Sequence, residues 1–341
     1  MSILHAQEPP QKLTLDDILY FKSIDEKTED EIWQQITRCG VDIPENKATY
    51  QRLRAEGFSF DFIKKLKILL QQGAQTAPHS QKPAPHSQEQ SQSPIPTYQG
   101  FTYLRTTTYA CGVVTHTVYE YQHTLTGLEF VLIPGNTFMM GNELPPGLYS
   151  VQHSVALSPY LISKTEVTQA VWQKIMGSNP AFFKDPHKPV EQVSWQDCME
   201  FCKKAGLSLP TEAQWECACR AGTKSKYYFG DDEAQLKEYA WYYGNSDNQT
   251  HPVAQKKSNA YGLYDMHGNV QEWCLDGYAA YPNTVVVDPL APAKGNLRVY
   301  RGGSWQDHGS ILDSARRFLA PSTFCPHHFG LRVVGPEFRQ N

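Results

Sequence analysis

The run YRGGSWQDHGSILDSARR, Tyr300 to Arg317, gathers Ser304, Asp307, His308 and Arg317 around a double glycine. These are the residue types of a nucleophile, a carboxylate, a base and an anion clamp. A serine hydrolase, however, needs its nucleophile, base and oxyanion donors in a defined spatial arrangement, which neighbours on one loop seldom supply. Two other readings stay open. Ser304, Trp305, Asp307, His308 and Arg317 can line a groove and hydrogen-bond a ligand, or the loop can be packing, with Trp305 in the core and Arg317 in an internal ion pair.

A second stretch, NAYGLYDMHGNVQEW from Asn259 to Trp273, sets Asp265 and Glu272 on either side of a Gly-Asn turn. A turn that folds back can aim two carboxylates and the intervening carbonyls at one hard cation, as oxygen-only calcium sites do. A plain hairpin turn is the alternative. Zinc is disfavoured. Cys198 and Cys202 can share a helix face, but Cys217 and Cys219 lie about 200° apart around a second helix, so the four thiols cannot converge. Buried structural cysteine is the better reading. No H-E-x-x-H, phosphate-binding glycine loop or dinucleotide fingerprint occurs.

Three regions must carry these motifs. From Leu13 to Leu70 the pattern is helical: Thr14 with Asp17 and Thr28 with Glu31 have capping spacing, Gly40 can close a helix, and Ser59 can open another. On that last helix Phe62, Ile63, Leu66, Leu69 and Leu70 recur on one face. Residues 1–72 thus read as a small all-α domain. Residues 73–97, in which APHSQ occurs twice, bury too little apolar surface to offset chain entropy and read as a disordered linker. Residues 98–341 read as an α+β domain. Strand-like runs such as TVYEYQHT and LEFVLIP alternate with turns, and helices are signalled at TQAVWQKIMG, SWQDCMEFCKKAG and PTEAQWECACRAG. In the last two, Ser194 with Asp197 and Thr211 with Gln214 are capping boxes.

The 341 residues carry a formal net charge of −4 with the two signs mixed along the chain, which argues against nucleic acid or anionic lipid as a partner. There is no basic, then apolar, leader at the amino terminus and no run of membrane-spanning length. The expectation is a soluble, cytoplasmic protein whose eight cysteines are reduced.

The motifs FVLIPGNTFMMG, ISKTEVTQAVW, VEQVSWQDCMEFC, LSLPTEAQWECACRAG, YGLYDMHGNVQEW, RVYRGGSW and FGLRVV follow one another from Phe130 to Val334. In this order the chain resembles the formylglycine-generating enzyme, or sulfatase-modifying factor, domain family. The resemblance implies a loop-rich variant of the C-type lectin fold, with a calcium ion held by the side chains of Asp265 and Glu272 and the carbonyls of Gly268 and Val270. A second calcium site of the family is in doubt, because Trp241 stands where a side-chain oxygen is wanted.

Members that oxidise a sulfatase cysteine bind copper through two cysteines just after Gly-Gly-Ser. Soft sulfur is what selects Cu(I). Here WQDHGSILDSARR contains no sulfur, Asp307 stands near the first expected cysteine, and Cys325 follows alone in another loop. The family's disulfides do not transfer either, since Ser314 and Val333 take bridging positions, and the amino-terminal segment lacks the histidines of the iron-dependent branch. The expectation is therefore a calcium-stabilised, non-catalytic domain that binds a protein, peptide or glycan, without copper. The alternative is a formylglycine-generating-type oxidase or another tailoring enzyme acting in the same groove.

Overall fold

The computed structural model describes residues 95–142, 152–282, 284–292 and 295–336, with Ile32, Leu53, Phe58, Ser59, Phe62, Ile63 and Leu66 near the amino terminus. The chain divides into two compact units, Met1–Ser91 and Gln92–Asn341. In the first, the Phe62 amide donates to Ser59 Oγ at 3.1 Å and the Ile63 amide to the Ser59 carbonyl at 3.2 Å, so Ser59 opens a helix as its spacing predicts. Phe62, Ile63 and Leu66 on that helix are buried. The capping pairs at Thr14 and Thr28, the stop at Gly40, Leu69, Leu70 and residues 73–94 of the predicted linker lie outside the described residues.

The second unit is α+β, built on three small sheets. β1 (Phe101–Cys111) and β2 (Val114–His123) form a long hairpin, which β3 (Glu129–Ile133) continues. β4 (Asn136–Met140) pairs with β5 (His153–Leu157), and β6 (Tyr160–Ser163) returns to β3, giving the order β1-β2-β3-β6. The apolar run FVLI belongs to a strand covered on both faces: all four of its residues are buried.

Three capped helices follow. α1 (Gln169–Met176) starts at Thr168, whose side chain accepts from the Val171 amide, and stops at left-handed Gly177. α2 (Trp195–Ala205) and α3 (Glu212–Arg220) start on complete capping boxes at Ser194–Asp197 and Thr211–Gln214. α4 (Leu236–Tyr239) is a single turn. β7 (Gln271–Gly277), β9 (Leu297–Arg301), β10 (Phe318–Pro321) and β11 (Phe329–Gly330) form the second sheet, ordered β10-β9-β7-β11, while β8 (Val286–Val287) joins β5.

Two apolar clusters hold these layers. One centres on Trp215, Leu263 and Met266 beneath α3, the other on Phe130, Trp172, Phe201, Trp273 and Phe329 beneath α1 and α2. Each such side chain removed from water stabilises the fold by about 1.5–3 kcal/mol. Among the described residues no helix is long and apolar enough to cross a membrane.

The second sheet positions the chemistry. β11 lies parallel to β7 with Phe329 opposite Gln271, and β9 runs out through Arg301 into the double glycine. Residues far apart in sequence thus meet at one end of β7.

Candidate functional site

Gly302 (φ 91°) and Gly303 (φ 72°) turn the chain away from β9 in a conformation only glycine adopts freely. The turn is tied to the Asp265–Val270 loop: the Gly268 amide donates to the Gly302 carbonyl at 3.0 Å and the Trp305 amide to the Asn269 carbonyl at 2.9 Å. Fully buried Ser304 donates from Oγ to Asp307 Oδ2 at 2.8 Å, and Gln271 Nε2 donates to the same oxygen at 2.9 Å. Ser304 therefore hydrogen-bonds a carboxylate, not a histidine. His308 is exposed and its ring packs on Tyr243, with centroids 4.7 Å apart. The elements of a serine nucleophile are not assembled.

Trp305 is 7% exposed. Its indole N–H donates to the His327 carbonyl, its ring stacks on His327 at 5.6 Å, and the edge of Phe183 meets it at 5.5 Å. The structure thus brings the four residues together, with Asp307 and His308 reaching the surface and Ser304 and Trp305 buried beside them. Arg317 is placed elsewhere. Its Nη2 donates to Glu212 Oε2 at 2.6 Å and its Nη1 to the Ala279 carbonyl at 2.8 Å, and it lines a separate cavity of about 470 Å³ with Glu212, Asp276 and Tyr281. The internal ion pair is the reading of Arg317 that fits.

Sequence reasoning missed Gln271 and His328. The β7–β11 pairing puts them side by side, with the Gln271 amide donating to the His328 carbonyl at 2.8 Å. Burial pushes His328 down to about 4 against the opposing pull of the Asp307 carboxylate. Near neutral pH the ring is uncharged. No spacing rule could have found this pair, because strand pairing, not proximity in sequence, creates it.

The Asp265 loop is not a hairpin turn. Gly262, Asp265, Gly268 and Asn269 all have positive φ, and the segment runs straight into β7. Asp265 is 1% exposed; its Oδ2 accepts from the Ala254 amide at 2.7 Å and its Oδ1 is buried with no partner. Burial pushes the Asp265 carboxyl up to about 6. Glu272 is engaged: Oε1 accepts from Arg332 Nη2 at 3.0 Å and Oε2 from the Trp215 indole at 2.6 Å. A third carboxylate, Glu166, accepts from the Val270 amide at 3.0 Å and from Asn269 Nδ2 at 2.7 Å. Burial, with the charges of Asp265 and Glu272, raises it well above the ordinary range.

Asp265, Glu166 and Glu272 thus crowd around the one guanidinium of Arg332, an excess of buried negative charge that a divalent cation would relieve. Among the described residues no three His, Cys, Asp or Glu side chains are arranged to hold an ion by themselves. Of the carboxylate oxygens of Asp265, Glu166 and Glu272, Asp265 Oδ1 is the one buried without a partner and so open to a cation. Glu272 would join only by giving up contacts to Arg332 or Trp215. At the doubtful second site, the Trp241 ring stacks on His251 at 3.7 Å and the Lys256 ammonium sits 3.7 Å from its centroid.

The seven described cysteines are free thiols, and all but Cys325 are buried. Cys217 donates to Asn136 Oδ1, and Cys219 lies against the Met266 carbonyl and the Ser314 hydroxyl. Burial pushes the thiols of Cys202 and Cys217 up to about 12 and about 11, away from thiolate.

The model of the sulfatase-modifying factor enzyme 1-like domain matches residues 115–336. Chaperone protein LppX of Paenibacillus barcinonensis is 30% identical over 233 aligned residues, covering 52% of this chain and 78% of that protein. The formylglycine-generating enzyme of Streptomyces coelicolor is 33% identical over 177 residues, covering 48% of this chain and 55% of the enzyme. The chain thus spans little more than half the length of that enzyme. Among solved structures, Treponema denticola variable protein 1 superposes with a TM-score of 0.57 at 31% identity, covering 67% of this chain and 98% of that one.

Proposed function

Because the chain belongs to the sulfatase-modifying factor enzyme 1-like family, we propose that it is a non-catalytic, calcium-stabilised member whose surface at Ser304, Trp305, Asp307 and His308 binds a protein, peptide or glycan. One observation carries this reading. Where the copper-dependent members need paired thiolates after Gly-Gly-Ser, this chain has Asp307, hydrogen-bonded to Ser304 and Gln271, and fully buried Leu312, which packs against Gly303. Copper(I) does not fit a carboxylate, a hydroxyl and a leucine. The buried thiols support the same conclusion, since each is committed to the core and its burial opposes ionisation. Free thiols also support a reducing, cytoplasmic setting, with the helical segment of residues 1–72 acting as an adaptor on the linker of residues 73–97.

The test is direct. The purified protein is expected to show no sub-micromolar Cu(I) binding and no oxygen uptake with a cysteine peptide. A tightly held cuprous ion, or an aldehyde formed on the peptide, would establish the oxidase alternative instead.

A calcium ion would supply charge neutralisation to the Asp265 loop, held by Asp265 Oδ1 and the carbonyls of Gly268 and Val270. At a hundredfold excess over its dissociation constant such an ion stabilises by about 2.7 kcal/mol, worth roughly 5–10 °C in a domain of this size. Chelation is expected to lower the thermal midpoint by that amount, and Asp265→Ala to remove the response. A chelator-insensitive midpoint in the wild type would make the loop a purely structural one.

A further inference from the structure

We propose that the surface around Asp307 takes a cationic side chain, an ammonium or guanidinium presented by a peptide; this deepens the ligand-binding reading above and rests on it.

The first argument is the state of the carboxylate. Asp307 Oδ2 faces inward to Ser304 Oγ and Gln271 Nε2, while Oδ1 has no hydrogen-bond partner among the described residues. Nor does any Lys or Arg nitrogen among them form an ion pair with Asp307; the buried acids Glu212, Glu216 and Glu272 each have an arginine. Neutral partners fix the carboxylate's orientation without discharging it. A donor-rich cation completes such a group, because hydrogen bonds between ionised partners are roughly twice as strong as neutral ones.

The second argument is an orphaned acceptor. Gln271 is 5% exposed, and with its NH₂ committed to Asp307 its Oε1 is buried without a partner. His328 beside it is uncharged near neutral pH because of its burial, so it sets no competing cation against Asp307. Gln271 Oε1, like His328 Nδ1, is buried out of a surface ligand's reach, so the acceptor such a ligand meets is Asp307 Oδ1, which argues against an anionic ligand.

The third argument is the rim. Phe182 is 65% and Tyr243 57% exposed, far more than large aromatics usually are; the Phe182 ring packs on His327, which stacks on Trp305, and the Tyr243 ring packs on His308. The Tyr243 amide donates to the Asp307 carbonyl, which places that ring's backbone at the carboxylate's own residue. Aromatic faces attract ammonium and guanidinium groups. The ring beside Phe182 already accepts one: Lys188 Nζ lies 5.7 Å from the Phe183 centroid and donates to Gln249.

The test uses the full chain and fluorescein-labelled Gly-Lys-Gly and Gly-Arg-Gly peptides, each against its neutral counterpart carrying acetyl-lysine or citrulline. Saturable binding of a cationic peptide is expected. It should weaken about tenfold or more in the neutral counterpart and in Asp307→Asn, the loss of one charge-assisted hydrogen bond, and weaken also in the surface variant Tyr243→Ala. Thermal midpoints of both variants confirm folding. Equal binding of the neutral peptides, or unchanged binding by a folded Asp307→Asn, overturns the assignment while leaving ligand binding at this surface intact. No saturable binding of either cationic peptide up to millimolar concentration overturns it as well. Failure of the underlying reading shows differently, as cuprous ion or oxygen uptake in the copper experiment.

Discussion

Replacing Arg301 by methionine lowers the thermal midpoint by roughly 6–12 °C, equivalent to about 3 kcal/mol in a domain of this size. Arg301 is wholly buried, and its Nη2 meets Glu216 Oε2 at 2.5 Å while its Nε lies 3.1 Å from Glu212 Oε1. Both acids are themselves buried, so removing their shared partner leaves charge that water cannot reach. Stripping one partner from a buried pair costs about 3–5 kcal/mol. The low end applies because Glu216 keeps Arg220 and Glu212 keeps Arg317.

The pH dependence distinguishes a charge effect from lost packing. Burial alone would raise the Glu216 pKa, but Arg301 and Arg220 reverse that and hold it below the ordinary value. A carboxyl with a depressed folded pKa contributes stability that is present above its unfolded pKa and lost as pH falls through the folded one. The unfolded reference is common to both proteins, so the gap between wild type and Arg301→Met is expected to narrow as pH falls through the variant's raised Glu216 pKa toward the lower wild-type one. A gap that stays constant into acid would assign the loss to packing. Differential scanning calorimetry across pH measures both.

This network also shows where sequence reading stops. Helix starts were legible because their signal is local: Ser194 and Asp197, or Thr211 and Gln214, are three residues apart, and both capping boxes form. The family's ordered motifs made the fold legible as well. The partners of Arg317 and Asp307 were not, because they arrive by tertiary pairing. Glu212 reaches Arg317 across 105 residues and Gln271 reaches Asp307 across 36. A groove drawn from one contiguous run therefore included an arginine that faces another cavity and omitted His328, carried in by β11. The Asp265 loop was half legible: its acids could be named, but not the left-handed backbone that separates it from a hairpin, nor Glu166, which reaches the Val270 amide across 104 residues.

The same loop gives the sharpest expected effect of a single methyl group. Gly268 has φ +83°, and a Cβ there would stand 2.1 Å from the Trp241 carbonyl oxygen and 2.9 Å from its carbon. Both are backbone atoms, and they are pinned: the Asn269 amide donates to that same carbonyl at 2.8 Å, and the Gly268 amide to Gly302 at 3.0 Å. Neither side can retreat without breaking the link between the Asp265 loop and the Gly-Gly turn. Gly177, which ends α1, is the internal control. Its φ is +81°, so the cost of left-handed backbone is similar, but no atom lies within 4 Å of where its Cβ would stand. Gly268→Ala is expected to cost about 4 kcal/mol or more, as substitutions that break a special backbone position do, lowering the midpoint by roughly 8–16 °C. Gly177→Ala should lose less than half of that. Equal midpoints for the two variants would refute the clash, leaving only the shared cost of a positive φ. Because Trp305 hangs from the Asn269 carbonyl, any Gly268→Ala protein that does fold should also bind ligand more weakly at Asp307, whereas Gly177→Ala should bind as wild type does.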